Sequence, residues 1–455
     1  MIVMKFGGTS VEDSVAISRL IDIVTSVKER TPFVVVSACS GVTNELIRTA
    51  TTVASGEKDK ALTILDKLKQ RHSTIADELL KSERHQQVNE QLDSMFHELR
   101  NFVRGVHMLG ELSKRSLDAF TSYGERLSSL IINAAMEERG LPSVLLDARL
   151  VIITDSTYTS AQPQFSEIEK QAKEIAAPFI AQGKIVVTQG FIGSNNEGIT
   201  TTIGRGGSDY SAALFGAALN AEEIQIWTDV DGMMTTDPRI VKEARLISQL
   251  TFDEASELAY FGAKVLHPST ILPAIKLNIP VRILNSRNPL NQGTLIVQNT
   301  IPDENGQNFI IKSIACKKGL TLLNVSSSRM LMAHGFLAEL FSVFAKHQKS
   351  VDVVATSEVS VSLTVDNEDR LVQIQQELES IAEVRIKGKK AIICVVGEAM
   401  KDTPGVAARI FTALAKDQIN IEMISEGASE INLTIVVDEQ NVEKAVRSLH
   451  QEFFQ

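Results

Sequence analysis

TTTIGRGGSDYSAALFGAAL, Thr200 to Leu219, decides the fold. Gly204, Gly206 and Gly207 let the backbone turn sharply and come close to a ligand. Ser208 and Asp209 are strong helix N-cap types, and the small-residue run Ala212–Leu219 reads as a buried helix. Upstream, Ile185–Val187 is a short β-branched run of the kind found in a buried parallel strand. The order is strand, glycine-rich loop, helix. Backbone N–H groups at such a helix start face an anion, and Arg205 can grip a carboxylate or phosphate with two parallel hydrogen bonds. A turn that merely needs glycines would carry the same letters, so the stretch alone leaves its ligand open.

Working outward, the pattern repeats. The chain begins MIVMKFGGTSVED. Ile2–Phe6 is a strand, Gly7 and Gly8 form a tight turn, and Thr9 and Ser10 can cap a helix over Val11–Lys28. Lys5 lies near the strand's end, where ligands bind in open α/β sheets. Phe33–Val36 is the next buried strand and runs into SACSGVTN, Ser37–Asn44. Ala50–Leu117 is polar and mostly helical, with apolar residues at helical spacing. Its histidines, His72, His85, His97 and His107, are not at the i, i+4 spacing of a helical metal pair and read as surface or packing residues. SYGERLS, Ser122–Ser128, opens a helix that continues to Ala135. Val144–Leu146 and Ile224–Thr228 are further strands, GSNNEG (Gly193–Gly198) is a turn, and Val281–Leu284 is a last buried strand. Helices are expected over Thr251–Ala259 and Leu266–Asn278. DVDGMMTTDPR, Asp229–Arg239, lacks the third acidic ligand of a calcium loop. Alternating strands and helices predict an α/β fold with a mainly parallel sheet sandwiched by helices.

NTIPDENGQN, Asn299–Asn308, marks a linker. Beyond it the chain repeats itself seventy residues on. Gly335, Ala338, Phe341, Ala345, Lys346 and Gln348 recur as Gly405, Ala408, Phe411, Ala415, Lys416 and Gln418, and Leu363–Thr364 as Leu433–Thr434. Two copies of one supersecondary unit imply paired domains rather than a solenoid. The predicted division is residues 1–298, 309–384 and 385–455.

Composition narrows the function. The 455 residues are 44% hydrophobic and 22% charged, with a formal net charge of −10. That charge favours neither nucleic acid nor an anionic membrane as partner, and no apolar run is long enough to span a bilayer. Cys39, Cys316 and Cys394 form no C-x-x-C, which argues against disulfides and structural zinc and fits a reducing cytoplasm. The first residues lack a signal-peptide layout. No Walker A loop, no G-x-G-x-x-G after the first strand and no protein-kinase signature set is present.

KFGGTS, SYGERLS, GRGGSD, WTDVDGMMTTDPR (Trp227–Arg239) and FGAKVLHP (Phe261–Pro268), in that order, resemble the aspartate kinases of the amino-acid kinase family. The C-terminal repeats resemble ACT domains, βαββαβ modules that bind amino acids at domain interfaces. The resemblance covers nearly the whole chain and implies transfer of the γ-phosphoryl of ATP, with Mg2+, to the side-chain carboxylate of L-aspartate. By resemblance, Lys5 and Asp209 are catalytic, with Asp209 orienting either Lys5 or the magnesium environment. Ser37, Thr43, Glu125, Arg205, Gly206, Gly207 and Ser208 bind the substrate. Glu125 takes its ammonium group and Arg205 its α-carboxylate. Lys5, Gly7, Gly8, Thr9, Thr228, Asp229, Met234, Arg239, Lys264 and Val265 meet the nucleotide. Met234 stands where relatives often have tyrosine, so a ring contact does not carry over. No residue is assigned as a resident metal ligand.

In the first repeat, Met330, Gly335, Phe336, Leu337, Asp352, Ser357 and Glu358 match the effector positions of lysine-inhibited members. Asp352 and Glu358 suit ammonium groups, and N–H groups at the Gly335–Leu337 helix start suit a carboxylate. Ala333 replaces a serine of some relatives. The modules imply a homodimer or higher homo-oligomer. Three alternatives stay open on residues alone: a sister kinase acting on another acid, a catalytically silent amino-acid sensor, and half of a kinase–dehydrogenase fusion. ACT modules oppose the first and intact Lys5, Glu125, Arg205 and Asp209 the second. The third leaves no room after the second repeat.

Overall fold

The computed structural model describes residues 1–81, 83–261, 268–300, 310–327, 330, 334–400, 402–426 and 431–455. The chain forms two compact units, Met1–Met233 with Val265–Asn299, and Met234–Lys264 with Thr300–Gln455.

The first unit holds β1 (Ile2–Phe6), β2 (Pro32–Val36), β3 (Ser143–Leu146), β4 (Ile153–Thr154), β5 (Ile185–Gln189), β6 (Ile192–Asn195), β7 (Thr200–Thr202) and β8 (Glu223–Thr228). The second contributes β9 (Gln249–Thr251), after which the first resumes with β10 (Val281–Asn285) and β11 (Thr294–Val297). Its helices are α1 (Ser14–Ser26), α2 (Val42–Ala54), α3 (Lys58–Leu79), α4 (Glu83–Leu109), α5 (Lys114–Thr121), α6 (Tyr123–Glu138), α7 (Phe165–Gln171), α8 (Ala177–Ala181) and α9 (Gly207–Ala218). The second unit's α10 (Phe252–Phe261) precedes the first unit's α11 (Leu272–Lys276).

Seven strands of the first unit run in the order β3-β5-β2-β1-β8-β10-β11. All neighbours are parallel except β10 and β11. Residues on β1, β2 and β5 are buried throughout because helices cover both faces. Ile2, Met4, Phe6, Val34 and Val36 join the core of α1–α4 and α6. On the other face Phe33 meets Phe215 of α9, with ring centroids 4.8 Å apart. Phe6 pairs in register with Val36 and Trp227, and Val36 with Gln189. The loops after β1, β2, β5 and β8 therefore emerge at one end of the sheet, which is where such folds bind ligands.

Several local expectations are corrected. The first helix is shorter than Val11–Lys28. Gly8–Ser10 is a 3-10 turn, and Asp13 rather than Thr9 or Ser10 caps α1, its Oδ1 accepting from Ala16 N at 2.8 Å. Ser10 is diverted by a tertiary bond to Ser286 Oγ at 2.8 Å. The strand leading into the glycine loop is β7 of a small sheet β4-β6-β7, not β5. Between Pro268 and Asn278 a 3-10 turn, Pro268–Ile271, precedes the five-residue α11 in place of one long helix. The 301–309 part of the expected linker lies outside the described residues.

The second unit contains one six-stranded sheet, β13-β14-β12-β15-β17-β16, built from β12 (Ser313–Ser326), β13 (Val354–Thr356), β14 (Ser360–Val365), β15 (Glu383–Val396), β16 (Met423–Glu426) and β17 (Asn432–Asp438). Its helices are α12 (Phe336–Lys346), α13 (Leu371–Leu378), α14 (Val406–Lys416) and α15 (Val442–Phe454). The sequence repeat is geometric: Gly335 (φ 89°) and Gly405 (φ 87°) start α12 and α14, and Gln348 (φ 52°) and Gln418 (φ 58°) follow their ends. The copies are fused through two fourteen-residue strands. The first part of β12 pairs with the last part of β15, and after a register shift between Lys317 and Leu322 the roles reverse. The edge strands do not both stand open, since Ser425 Oγ of β16 donates to Val354 O of β13 at 3.2 Å. Segment 234–264 packs with this unit: Ile314 N donates to Thr235 O at 2.8 Å and Asn432 to Glu257 at 2.5 Å. No helix among the described residues is long and apolar enough to cross a membrane.

Candidate active site

Lys5 is next to last on β1 and 9% exposed. Its ammonium lies 2.6 Å from Asp209 Oδ1 in the first turn of α9. The two are in ionic contact, yet Oδ1 is buried without a well-aligned hydrogen bond, so it can accept one more donor. Ser208 and Asp209 sit inside α9 rather than capping it. The cap is Gly206, whose φ of 72° is the left-handed conformation that glycine tolerates. Arg205, between Gly204 and Gly206, is exposed.

Helix α9 can start here because Gly190 has no side chain. A Cβ there would lie 2.7 Å from Ser208 Cβ and 2.8 Å from its Cα. Gly190→Ala must therefore push the first turn of α9, and Asp209 with it, away from Lys5. We expect a loss of about 1–3 kcal/mol, read as a lower urea midpoint, together with reduced turnover.

The loop after β1 fits against the loop after β2: Ser40 N donates to Gly8 O at 3.1 Å and Ser37 N to Phe6 O at 3.0 Å. Gly7 N donates to Trp227 O at 3.0 Å and Gly207 N to Gly204 O at 3.1 Å. These two glycines therefore use their N–H groups internally. Thr228 follows Trp227, its hydroxyl donating to Asp229 Oδ1 at 3.2 Å.

Glu125 enters from α6. It is 3% exposed, and its carboxylate accepts from the N–H groups of Ala38 and of Glu125 itself. Burial outweighs those bonds and pushes its carboxyl up to about 8. Its Oε2 is buried and unpartnered. Ser128 Oγ donates to Ser37 O at 2.8 Å, tying α6 to the same loop. Thr43 stands nearby, its Oγ1 3.6 Å from where a Gly124 Cβ would be. A buried carboxyl with an unused oxygen suits the ammonium group of a ligand.

Lys5, Gly7, Gly8, Ser37, Thr43, Glu125, Gly206, Gly207, Ser208, Asp209, Thr228 and Asp229 thus belong to strand ends, loops and helix starts of the first unit. Thr9 lies in the same Gly8–Ser10 turn. Met234 and Arg239 belong to the second unit, where Met234 O accepts from Ser313 Oγ at 2.8 Å and Arg239 clasps Asp237 at 3.0 and 2.6 Å. Lys264 and Val265 lie outside the described residues. Cys39 is packed, and burial pushes its thiol up to about 12, so it offers no thiolate. His72 is also core, bonded to Leu68 O and set against Phe96. Among the described residues no group of three or more His, Cys, Asp or Glu could hold a metal ion.

Asp118 is a residue that the sequence reading missed. It is 1% exposed on α5 and accepts from Thr202 Oγ1 (2.7 Å), Thr202 N (3.0 Å) and Thr159 N (3.0 Å). Its partners lie 41 and 84 residues away, so no local pattern could announce it.

Residues 1–285 match the amino acid kinase family model and residues 393–453 an ACT domain model. The chain belongs to the amino acid kinase family. Lysine-sensitive aspartokinase 3 of Escherichia coli K12 is 37% identical, the alignment covering 100% of this chain and 99% of that protein. The aspartokinase of Saccharomyces cerevisiae is 35% identical over 99% of this chain and 92% of its own. Crystal structures of E. coli aspartokinase III resemble this amino acid kinase over the full length of both chains. The complex with aspartate and ADP, in the R-state, has a TM-score of 0.84 at 36% identity. The complex with lysine and aspartate, in the T-state, has a TM-score of 0.84 at 37% identity.

Proposed function

We infer that the protein is an aspartate kinase, transferring the γ-phosphoryl of ATP to the side-chain carboxylate of L-aspartate to give 4-phospho-L-aspartate, under feedback control by lysine. The observation that carries the site reading is the buried, unpartnered Oε2 of Glu125, close to the loop that also meets Gly8. It suits the substrate's ammonium, and Arg205 suits the α-carboxylate. Ser37, Thr43, Gly206, Gly207 and Ser208 complete the substrate's surroundings.

A side-chain carboxyl with an ordinary pKa of about 3.9 is already ionised at neutral pH, so no strong base is required. The obstacle is repulsion between two anions. A carboxylate oxygen attacks the γ-phosphorus, the bond to the β,γ-bridging oxygen breaks, and ADP leaves with that electron pair. Lys5 stabilises the charge on the transferring group, and Asp209 fixes Lys5 in place. Gly7, Gly8, Thr9, Thr228 and Asp229 line the nucleotide side. Contacts from Met234, Arg239, Lys264 and Val265 rest on the resemblance alone. When bound with the nucleotide, Mg2+ would supply phosphate charge neutralisation, and Asp209, whose Oδ1 has no aligned hydrogen bond, would be the residue of this site to orient its surroundings.

The domain reading remains residues 1–298 for the kinase and 309–384 and 385–455 for the ACT modules, through which the chain forms a homodimer or higher homo-oligomer. Lysine control is assigned to the first module, with Met330, Gly335, Phe336, Leu337, Asp352, Ser357 and Glu358. Asp352 supports it: its side chain is 5% exposed, Oδ1 accepts from Lys317 Nζ at 2.9 Å and Tyr260 OH at 3.1 Å, and Oδ2 is buried and unpartnered. Asp352→Asn should raise the half-inhibitory lysine concentration about tenfold or more, a coupling change within the usual 1–3 kcal/mol, with turnover in the absence of lysine unchanged. Equal inhibition of both proteins would remove Asp352 from the effector site.

Hydroxylamine trapping with ATP, Mg2+ and L-aspartate, with and without L-lysine, tests the assignment. Aspartyl hydroxamate that falls with added lysine supports it. Product from glutamate but not aspartate would move the chain to a sister activity. Lysine binding with no product from any acid would make it a sensor.

A further inference from the structure

Asp118 accepts from three donor groups on two segments, one leading into Arg205 and the other lying against the same glycine loop. Thr202 is the last residue of β7, three positions before Arg205, and gives Asp118 both its N–H and its hydroxyl. Thr159 lies on the loop between β4 and α7 with a left-handed φ of 73°, a conformation a β-branched residue rarely adopts. Its N–H reaches both Asp118 oxygens, at 3.1 and 3.0 Å. That loop is sewn to β7 from its other side, since Ala161 N donates to Thr202 O at 2.9 Å. It also walls the glycine loop: Thr159 O would be 3.5 Å from a Gly204 Cβ.

Asp118 sits on α5, which Ser113 caps at its start, and Ser122 N donates to Asp118 O at 3.0 Å where α5 turns into α6. Glu125 lies in the first turn of α6. One helical corner therefore carries Glu125 directly and anchors, through the Asp118 carboxylate, the loop that carries Arg205.

We propose that Asp118 is a positioning residue that sets the span between Glu125 and Arg205, and so governs affinity for the α-amino-acid end of the substrate rather than phosphoryl transfer. This rests on the reading of Arg205 and Glu125 given under Proposed function. An Asp118→Asn amide turns an N–H group towards backbone donors, which breaks the anchor while keeping the shape.

Steady-state kinetics of Asp118→Asn, Arg205→Ala and the double variant test the proposal. In Asp118→Asn the KM for aspartate should rise about tenfold or more, with the KM for ATP within about twofold and kcat at saturating aspartate within about threefold. In the Arg205→Ala background the same substitution should add less than about twofold, because both changes remove one interaction. A folded Asp118→Asn with unchanged aspartate KM, or one in which both KM values rise together, overturns the proposal. So does a full, independent effect in the Arg205→Ala background. If Asp118→Asn does not fold, Thr202→Val decides, since it deletes only the hydroxyl donor. An aspartate-specific KM rise of about two- to fivefold supports the proposal, and no rise overturns it. Arg205→Ala with unchanged aspartate KM would overturn the assignment of Arg205 and this proposal together. Arg205→Ala with a raised KM, but an inert Asp118→Asn, would overturn this proposal alone.

Discussion

Lys5→Ala should lower kcat by about a hundredfold or more, equivalent to about 2.7 kcal/mol of transition-state stabilisation. The argument begins with where the charge is. Lys5 lies on a fully buried parallel strand, and its ammonium is 2.6 Å from Asp209 Oδ1. A cation held in place by a carboxylate and largely shielded from water needs little reorganisation when negative charge builds up nearby. Alanine removes that cation and leaves the Asp209 carboxylate without it. The Asp209 side chain is 13% exposed, so water reaches it and the fold should survive. Circular dichroism melts verify that point. A folded Lys5→Ala protein with near-normal turnover would remove Lys5 from the chemistry.

Glu125→Gln should lower kcat/KM for aspartate by about a hundredfold, the usual scale for losing a charge-assisted buried contact. It also makes a pH prediction of definite sign. Burial raises the folded-state value from an ordinary 4.5 to about 8. The contribution of this carboxyl to stability is fully present below the unfolded value and is lost as pH rises through the folded one. The substrate-free wild type should therefore lose stability between those limits, by a few kcal/mol at most, and Glu125→Gln should lack this component. Binding the substrate's ammonium requires the ionised form, so wild-type kcat/KM for aspartate should climb with pH until about 8. Thermal melts and initial rates across that range check both. A flat wild-type profile, or an identical slope in Glu125→Gln, would contradict the role given to this residue.

Much of this was legible in the sequence because the loops use local chemistry. Gly206 must adopt positive φ, and Gly335 and Gly405 start equivalent helices at equivalent angles. Such requirements leave glycines at readable spacing. What was illegible depends on distant partners. Thr9 and Ser10 looked like caps, but Ser10 bonds to Ser286 across the fold and Asp13 caps instead. Asp118 resembles any helical aspartate until Thr159 and Thr202 arrive from elsewhere in the chain. β11 adds an antiparallel strand that the strand–helix alternation did not foretell. Segment 234–264 joins the second unit through bonds such as Thr235 to His450, a partner 215 residues away that its own residues do not announce.

The most direct test is phosphorus NMR of a single turnover, with wild type and Lys5→Ala each mixed with ATP, Mg2+ and L-aspartate. An acyl-phosphate signal should grow as the γ-phosphate signal of ATP decays in the wild type, and be absent from Lys5→Ala over the same interval. Decay of ATP to inorganic phosphate alone, or an equal acyl-phosphate signal from both proteins, would contradict phosphoryl transfer to aspartate at a site organised by Lys5.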